Sequence, residues 1–491
     1  MSRLMARPLL APPDEIRLWV GLFDTTHPPK VSFQLDGAPW QPTETQGLFP
    51  IRDGAQVNHQ GIFSFTALGP GIEHRIRVEA GNVAAPYFLR VRSLPDKVPS
   101  APHGSFKILL TSCYCVGTDP VDVGRFIQRL PQQPDMSLFA GDQVYLDQPP
   151  LDDMPSTAAC LRSDISAKYR RNWLSELSGQ SGLQQALSKA PAVCLPDDHE
   201  YWNNYPWEQF WKKGTQHAPT PTGLNFWDDA ARELYQDYQQ GGSPNNHRTW
   251  TRLDIEPLCM LFIDTRSHRQ LDFDSPVGLM TEQTEQALRD WEQQLIDHKK
   301  AGTPHIGLLA TGQTLFCEPA RFGKLMDAEL PNYQQQFAVL MKVLENLAEY
   351  GIQVVFLTGD VHWSRVAQAV HTRTGRTTLT EVICSPSSLC VTPVLDQWAS
   401  LKDEVRGIFG PHKAWFRHAA PEAPAATIGA QKQFKPRDNE DDKHNRWSGN
   451  QVAIVEFSRW GSGVQMKVTY HPITSPVSPP TTTRPFTLLN T

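Results

Sequence analysis

Four stretches decide the fold: ILLTSC at residues 108–113, MSLFAGDQVY at 136–145, AVCLPDDHE at 192–200 and VVFLTGDVH at 354–362. Each sets a short apolar run directly before side chains that can bind metal or move protons. An apolar run of that length, bounded by turn formers, reads as a buried strand. Two further runs have the same form. Residues 258–263 lead into Asp264-Thr265-Arg266 and then Arg269, and residues 306–310 lead into Thr311-Gly312-Gln313. Between the strands lie segments of helical period. Residues 281–300 place Leu288, Trp291 and Leu295 on one face and stop at Gly302. Residues 334–350 do the same with Phe337, Leu340, Met341, Leu344 and Leu347, closed by Gly351. Strands alternating with helices predict an α/β architecture, a largely parallel sheet with helices on its faces. Ligands of such sheets bind beyond the carboxyl ends of the strands, so these clusters should converge on one edge.

The first hundred residues follow a different grammar. Ile16, Leu18, Val20 and Leu22 alternate with Arg17, Trp19 and Gly21, and Val31, Phe33 and Leu35 alternate again. Short runs of period two, separated by Asp-Gly, Gly-Pro and Pro-Pro signals, predict an antiparallel β-sandwich. The Pro-rich stretch 93–104 reads as a connector, which divides the chain into a sandwich at 1–98 and a catalytic domain at 99–491. Near the end, residues 452–457 and 464–470 flank Gly461-Ser462-Gly463 as a closing hairpin. The charged run 435–446 and the Ala/Pro- and Thr/Pro-rich stretches 419–426 and 474–484 read as loops and a tail.

Composition narrows the function classes. The chain has 491 residues, 40% hydrophobic and 20% charged, with a net charge of −6. It can bury a sizeable core and lacks the basic footprint of a nucleic-acid binder. Its 41 prolines imply many shaped loops rather than a helical bundle. No apolar run reaches the length of a membrane span, and the start does not read as a signal peptide. The 8 cysteines form no CxxC pair, so they are expected as reduced thiols in a cytoplasmic protein. GxSxG, HExxH and GxxxxGK[ST] are absent, so serine hydrolase, zincin and P-loop readings find no support.

One Gly-Asp after a strand is usually a turn, and one His is usually structural. Their order here is far more specific: Ser112-Cys113, the GDxxY turn at 141–145, the DDHE turn at 197–200, Asp264-x-Arg266 and the GDxH turn at 359–362. This series resembles the PhoD-like alkaline phosphatases, a branch of the calcineurin-like metallophosphoesterases related to purple acid phosphatases. The resemblance covers most of the chain. It implies a metallophosphoesterase-type β-sheet sandwich flanked by helices (α/β, α+β), preceded by a fibronectin- or immunoglobulin-like sandwich. It also implies a binuclear or larger metal centre.

Chemistry then suggests roles. Asp142 would bridge two ions. Cys113, Tyr145 and His362 would join it around one, where anionic sulfur and phenolate favour Fe3+, with Zn2+ as competitor. Asp198 and Asp360 would complete an oxygen-rich second site suited to Ca2+, Mn2+ or Mg2+. The implied reaction is attack of a metal-activated hydroxide on phosphorus, in a phosphodiesterase or phosphomonoesterase, with His199 as general acid and Asp197 orienting it. Arg266, with Arg269 second, would grip phosphate oxygens, and Asn203 and Asn204 would donate to them. The expected partner is a small phosphate ester, with no nucleic acid and no obligate protein partner. The rival reading is an inactive metallophosphatase-fold scaffold. Trp202, Trp207, Trp211 and Trp227 read mostly as packing, and His217, His247 and His305 as surface or core histidines.

Overall fold

The computed structural model describes all residues except 1, 46, 120, 150–153, 209–211, 213–214, 216–225, 242–247, 318, 320–327, 391–432, 438–445, 448, 462, 475–477 and 489–491. Trp211, His217, His247, the 419–426 stretch and most of the charged run 435–446 therefore lie outside the described residues.

Two large sheets pack face to face. In the first, the central strands Phe106–Thr111, Met136–Ala140 and Ala192–Leu195 run parallel. The second is built on Leu258–Ile263, Ile306–Ala310, Val354–Thr358 and Thr377–Ile383, also parallel. Antiparallel strands close both, so each sheet is mixed. The pair is the β-sheet sandwich flanked by helices that the motif series implied; periodicity alone points only to a largely parallel sheet. The strands are apolar on both faces because each face meets a different core. Ile108, Leu110, Met136, Leu138, Met260, Phe262, Leu308, Val355 and Leu357 fill the space between the sheets. The alternate residues point outward. Leu109 and Phe139 meet the helices over the first sheet, and Leu261, Leu309 and Phe356 meet those over the second.

The helices lie where the periodicity put them. Glu282–Lys300 begins at Thr281, whose hydroxyl accepts from Thr284 N at 3.2 Å, and buries Leu288, Trp291 and Leu295. Trp291 lies over Gly307, where a Cβ would come 2.6 Å from the indole. Gln334–Glu349 buries Phe337, Leu340, Met341, Leu344 and Leu347. The C-terminal hairpin pairs Gln451–Trp460 with Gly463–Pro472.

The N-terminal strands do form a sandwich. Leu18, Val20 and Leu22 face Phe33, Ile76, Val78 and Val91 of a four-stranded sheet in one core. The first sheet nevertheless runs across the division at residue 98. Arg3–Leu9 joins Ala192–Leu195 in parallel, with Leu9 opposite Ala192 and Leu10 N donating to Ala192 O at 3.2 Å. The other face of Ile16–Phe23 sends Trp19 and Phe23 into the same core as Tyr169, Trp173 and Tyr238. Among the described residues no helix is long and apolar enough to cross a membrane.

Candidate metal centre

The carboxyl ends of both sheets face one rim, and the turn that follows each strand delivers its donor there. Cys113 and Asp142 each stand two residues past their strands, Asp198 three past, and Asp360 two past Val354–Thr358 on the opposite sheet. Among the described residues, ten non-glycine residues have positive φ. Five are here: Cys113 (51°), Asp142 (59°), Asn204 (65°), Asp360 (66°) and His362 (59°). Left-handed backbone costs free energy at non-glycine residues, and such strain concentrates at functional sites. The turns also press together. A Cβ on Gly359 would come 2.3 Å from Ser112 Cβ, and one on Gly141 2.6 Å from Asp197 Cβ.

One ligand oxygen from each of Asp142, Asp197, Asp198 and Asp360 lies within 4.8 Å of the others, and Asp142, Asp198 and His199 form a second such group. Asp142 and Asp198 are common to both. The Cys113 Sγ lies 3.5 Å from Asp142 Oδ2 and 3.6 Å from Asp360 O, and accepts from Ser385 Oγ at 3.2 Å. Burial, with Asp142 and Asp360 adding to it, pushes the Cys113 thiol well above its ordinary pKa. Burial also raises Asp142, reinforced by Asp198, Asp197 and Glu200 against the opposing pull of His199. Tyr145 Oη is buried with no hydrogen-bond partner, and burial and the nearby Cys113 and Asp142 disfavour its phenolate. Buried anions this close require a cation, and an orphaned phenol beside them is a donor awaiting one. The donor set therefore fits metal ions. His362 sits exposed at the rim, its backbone N–H on Ser385 Oγ at 3.1 Å, and its ring belongs to neither group of converging ligand atoms.

His199 lies face to face with Tyr145, ring centroids 4.1 Å apart. Its Nδ1 is 2.8 Å from Asp147 Oδ1, while Asp147 Oδ2 accepts from Asn203 N at 3.1 Å. Asp147, not Asp197, therefore orients the imidazole. Burial alone would lower the His199 pKa, but Asp147, Asp198 and Asp142 together raise it well above its usual value. Against the same burial, His199 and the Asn203 N–H hold Asp147 below the usual carboxylate range.

Asp197, a member of the carboxylate group, also takes the Arg266 Nε on Oδ1 at 2.5 Å. Arg266 is wholly buried and also donates to Tyr205 O. Arg269 is buried too, donating to Thr265 O and Ala328 O and to Gln313 Oε1. Both guanidiniums, expected to grip phosphate, lie buried against loop carbonyls and side chains. Each fastens loops: a fork of fixed donors can close several carbonyls and a carboxylate at once. Asp264 caps its own turn, accepting from Arg266 N and Ser267 N at 2.9 Å. Asn203 and Asn204 stand at the mouth, with Asn204 N donating to Asp198 Oδ2 at 2.6 Å.

Glu200 is the residue whose importance the spacing concealed. Its carboxylate accepts from the backbone N–H groups of Asp142 (2.8 Å), Gln143 (2.6 Å) and Asp197 (2.8 Å), and from Gln239 Nε2 (3.1 Å). One side chain thus pins the GDxxY turn to the DDHE turn. Trp202 and Trp227 are fully buried, and their indoles donate to Trp207 O and Tyr201 O.

Residues 112–314 match the family profile described as PhoD-like phosphatase. No curated protein sequence matches the chain. A solved structure described as "Structure of PhoD" is 14% identical, covers 99% of this chain and 92% of its own, and superposes with a TM-score of 0.61. A Lactobacillus rhamnosus β-glucuronidase at 9% identity covers 73% of this chain and 62% of its own. Its TM-score of 0.20 carries no argument.

Proposed function

Because residues 112–314 carry a PhoD-like phosphatase domain, we propose that the chain is a metal-dependent hydrolase of small phosphate esters. The observation that supports this is the convergence of Asp142, Asp197, Asp198 and the half-buried Asp360 from two sheets into one cluster beside Cys113. Cys113, Tyr145, Asp142 and His362 would hold one ion, Fe3+ or Zn2+. Asp142, Asp198 and Asp360 would hold another, Ca2+, Mn2+ or Mg2+. Ions held there would supply charge neutralisation at phosphorus and lower the pKa of water towards neutrality.

The protein's own groups do the rest. With Asp147 on Nδ1, the His199 ring is fixed and its protonated form favoured, so a proton on Nε2 would be placed for the departing alkoxide. The Tyr145 ring closes one face of the imidazole and restricts water on that side. The amides of Asn203 and Asn204 add donors for phosphoryl oxygens at the mouth. Arg266 acts at one remove, by fixing Asp197 under the metal cluster. The eight free thiols suit a reducing, cytoplasmic setting.

The test is turnover of bis- and mono-p-nitrophenyl phosphate by wild type and His199→Ala across added metals. Hydrolysis by wild type, sharply reduced in the variant at unchanged metal content, is the expected result. Metal-replete protein that turns over neither ester in any metal would overturn the reading in favour of a scaffold.

A further inference from the structure

We propose that a second metal site, on the rim opposite the catalytic one, is formed by the Cys259 thiol with the imidazoles of His298 and His305, and that it takes Zn2+. One ligand atom from each of the three lies within 4.8 Å of the others. They come from three elements. Cys259 is the second residue of Leu258–Ile263, His298 lies in the last turn of Glu282–Lys300, and His305 immediately precedes Ile306–Ala310. All three stand at the amino-terminal edge. Cys259 is five residues, or about 16 Å of strand, from Asp264 at the other end. The site is therefore separate from the cluster around Asp142.

The surroundings are arranged as a ligand sphere requires. The Trp291 indole donates to Cys259 O at 3.0 Å, which fixes the helix over the strand, and His298 follows on the same face two turns later. The Thr303 carbonyl lies 2.6 Å from His305 Nδ1, and its hydroxyl lies 3.4 Å from His298 Nδ1. A carbonyl can only accept, so the His305 proton sits on Nδ1 and the Nε2 lone pair is left for a metal. The two rings are stacked, centroids 3.7 Å apart, and being only half-buried they can swing to aim at one ion. Asp254 is the cross-strand partner of Cys259, and its charge acts on the thiol. It stands in reach as fourth donor, with water as the alternative. One thiolate with two imidazoles is a zinc set, whereas Ca2+ and Mg2+ require oxygen. On binding, the Cys259 S–H proton leaves as the S–Zn bond forms, with no change of oxidation state.

The experiment compares full-length wild type with Cys259→Ser and with the double variant His298→Gln/His305→Gln. Each protein is equilibrated with Zn2+, desalted and analysed for metal. Both variants should hold one zinc fewer per chain, with turnover of bis-p-nitrophenyl phosphate unchanged. In Co2+-substituted protein, a thiolate charge-transfer band should survive Cys113→Ser and disappear in the His298→Gln/His305→Gln protein on the same background. Should Cys259→Ser not fold, the double variant alone decides, since its side chains are half-exposed. Equal zinc in wild type and double variant, or a cobalt band that depends on Cys113 alone, overturns the proposal.

Discussion

Each donor at the rim is governed by where its own turn points it, and that is where single residues can be tested. His199→Ala should lower turnover about 10²- to 10⁴-fold while elemental analysis finds the metals retained. Asp142→Asn, shared by both ligand groups, should lose metal and turnover together. Asp147→Asn keeps the size of the side chain but not its charge, and should lower kcat roughly 10- to 100-fold with KM little changed. A fall in stability without a fall in kcat would make Asp147 merely structural. For Arg266 the expectation is the reverse. Arg266→Met strands the buried Asp197 and should cost about 3–5 kcal/mol in denaturant unfolding. A raised KM at unchanged stability would return Arg266 to the phosphate. Most of the donors were legible because GDxxY, DDHE and GDxH each follow an apolar run. The orienting carboxylate was not. Asp197 is close to His199 in the chain, but the tight DDHE turn aims its side chain at Arg266, and Asp147 arrives from another loop.

The elements were readable wherever one face of them is buried. The helix Glu282–Lys300 could be bounded from Thr281 and Gly302 alone, since a cap and a breaker act locally. The strands were equally visible, but their pairing into two sheets was not. An apolar run buried on both faces looks the same whether its second face meets a helix or another sheet. Among the glycines of the rim, the tightest fit is Gly359 against Ser112. Gly359→Ala should cost about 1–3 kcal/mol by overpacking, seen as a lower Tm. It should also reduce bound metal, because relieving the clash parts the turns that carry Cys113 and Asp360. A variant with normal metal content would mean that the turns yield without disturbing the donors.

For the molecule as a whole, the sandwich at the N-terminus was evident from alternation, but its union with the neighbouring sheet was not. The contact of Leu9 with Ala192 spans more than 180 residues, and no local pattern announces it. Residues 99–491 expressed alone would lose that interior strand along with Trp19 and Phe23 from the core of Tyr169 and Trp173. They should be recovered as aggregate, and a monomeric, active fragment on gel filtration would contradict this. Chelation should act just as globally. Withdrawing the ions leaves Asp142, Asp198 and Asp360 crowded without counter-charge, so activity should vanish and Tm should fall, both returning with added metal.

The donors hang from two slabs that are held apart by a mainly apolar filling, about 10 Å thick. That filling works as the screw of a calliper whose jaws are Asp142 on one side and Asp360 on the other. A methyl group removed from Leu138 or Leu357, deep in the gap, would be felt at the jaws as a change in grip. On the proposed reading, selectivity among ions of different radius would then be set partly by residues that never touch one.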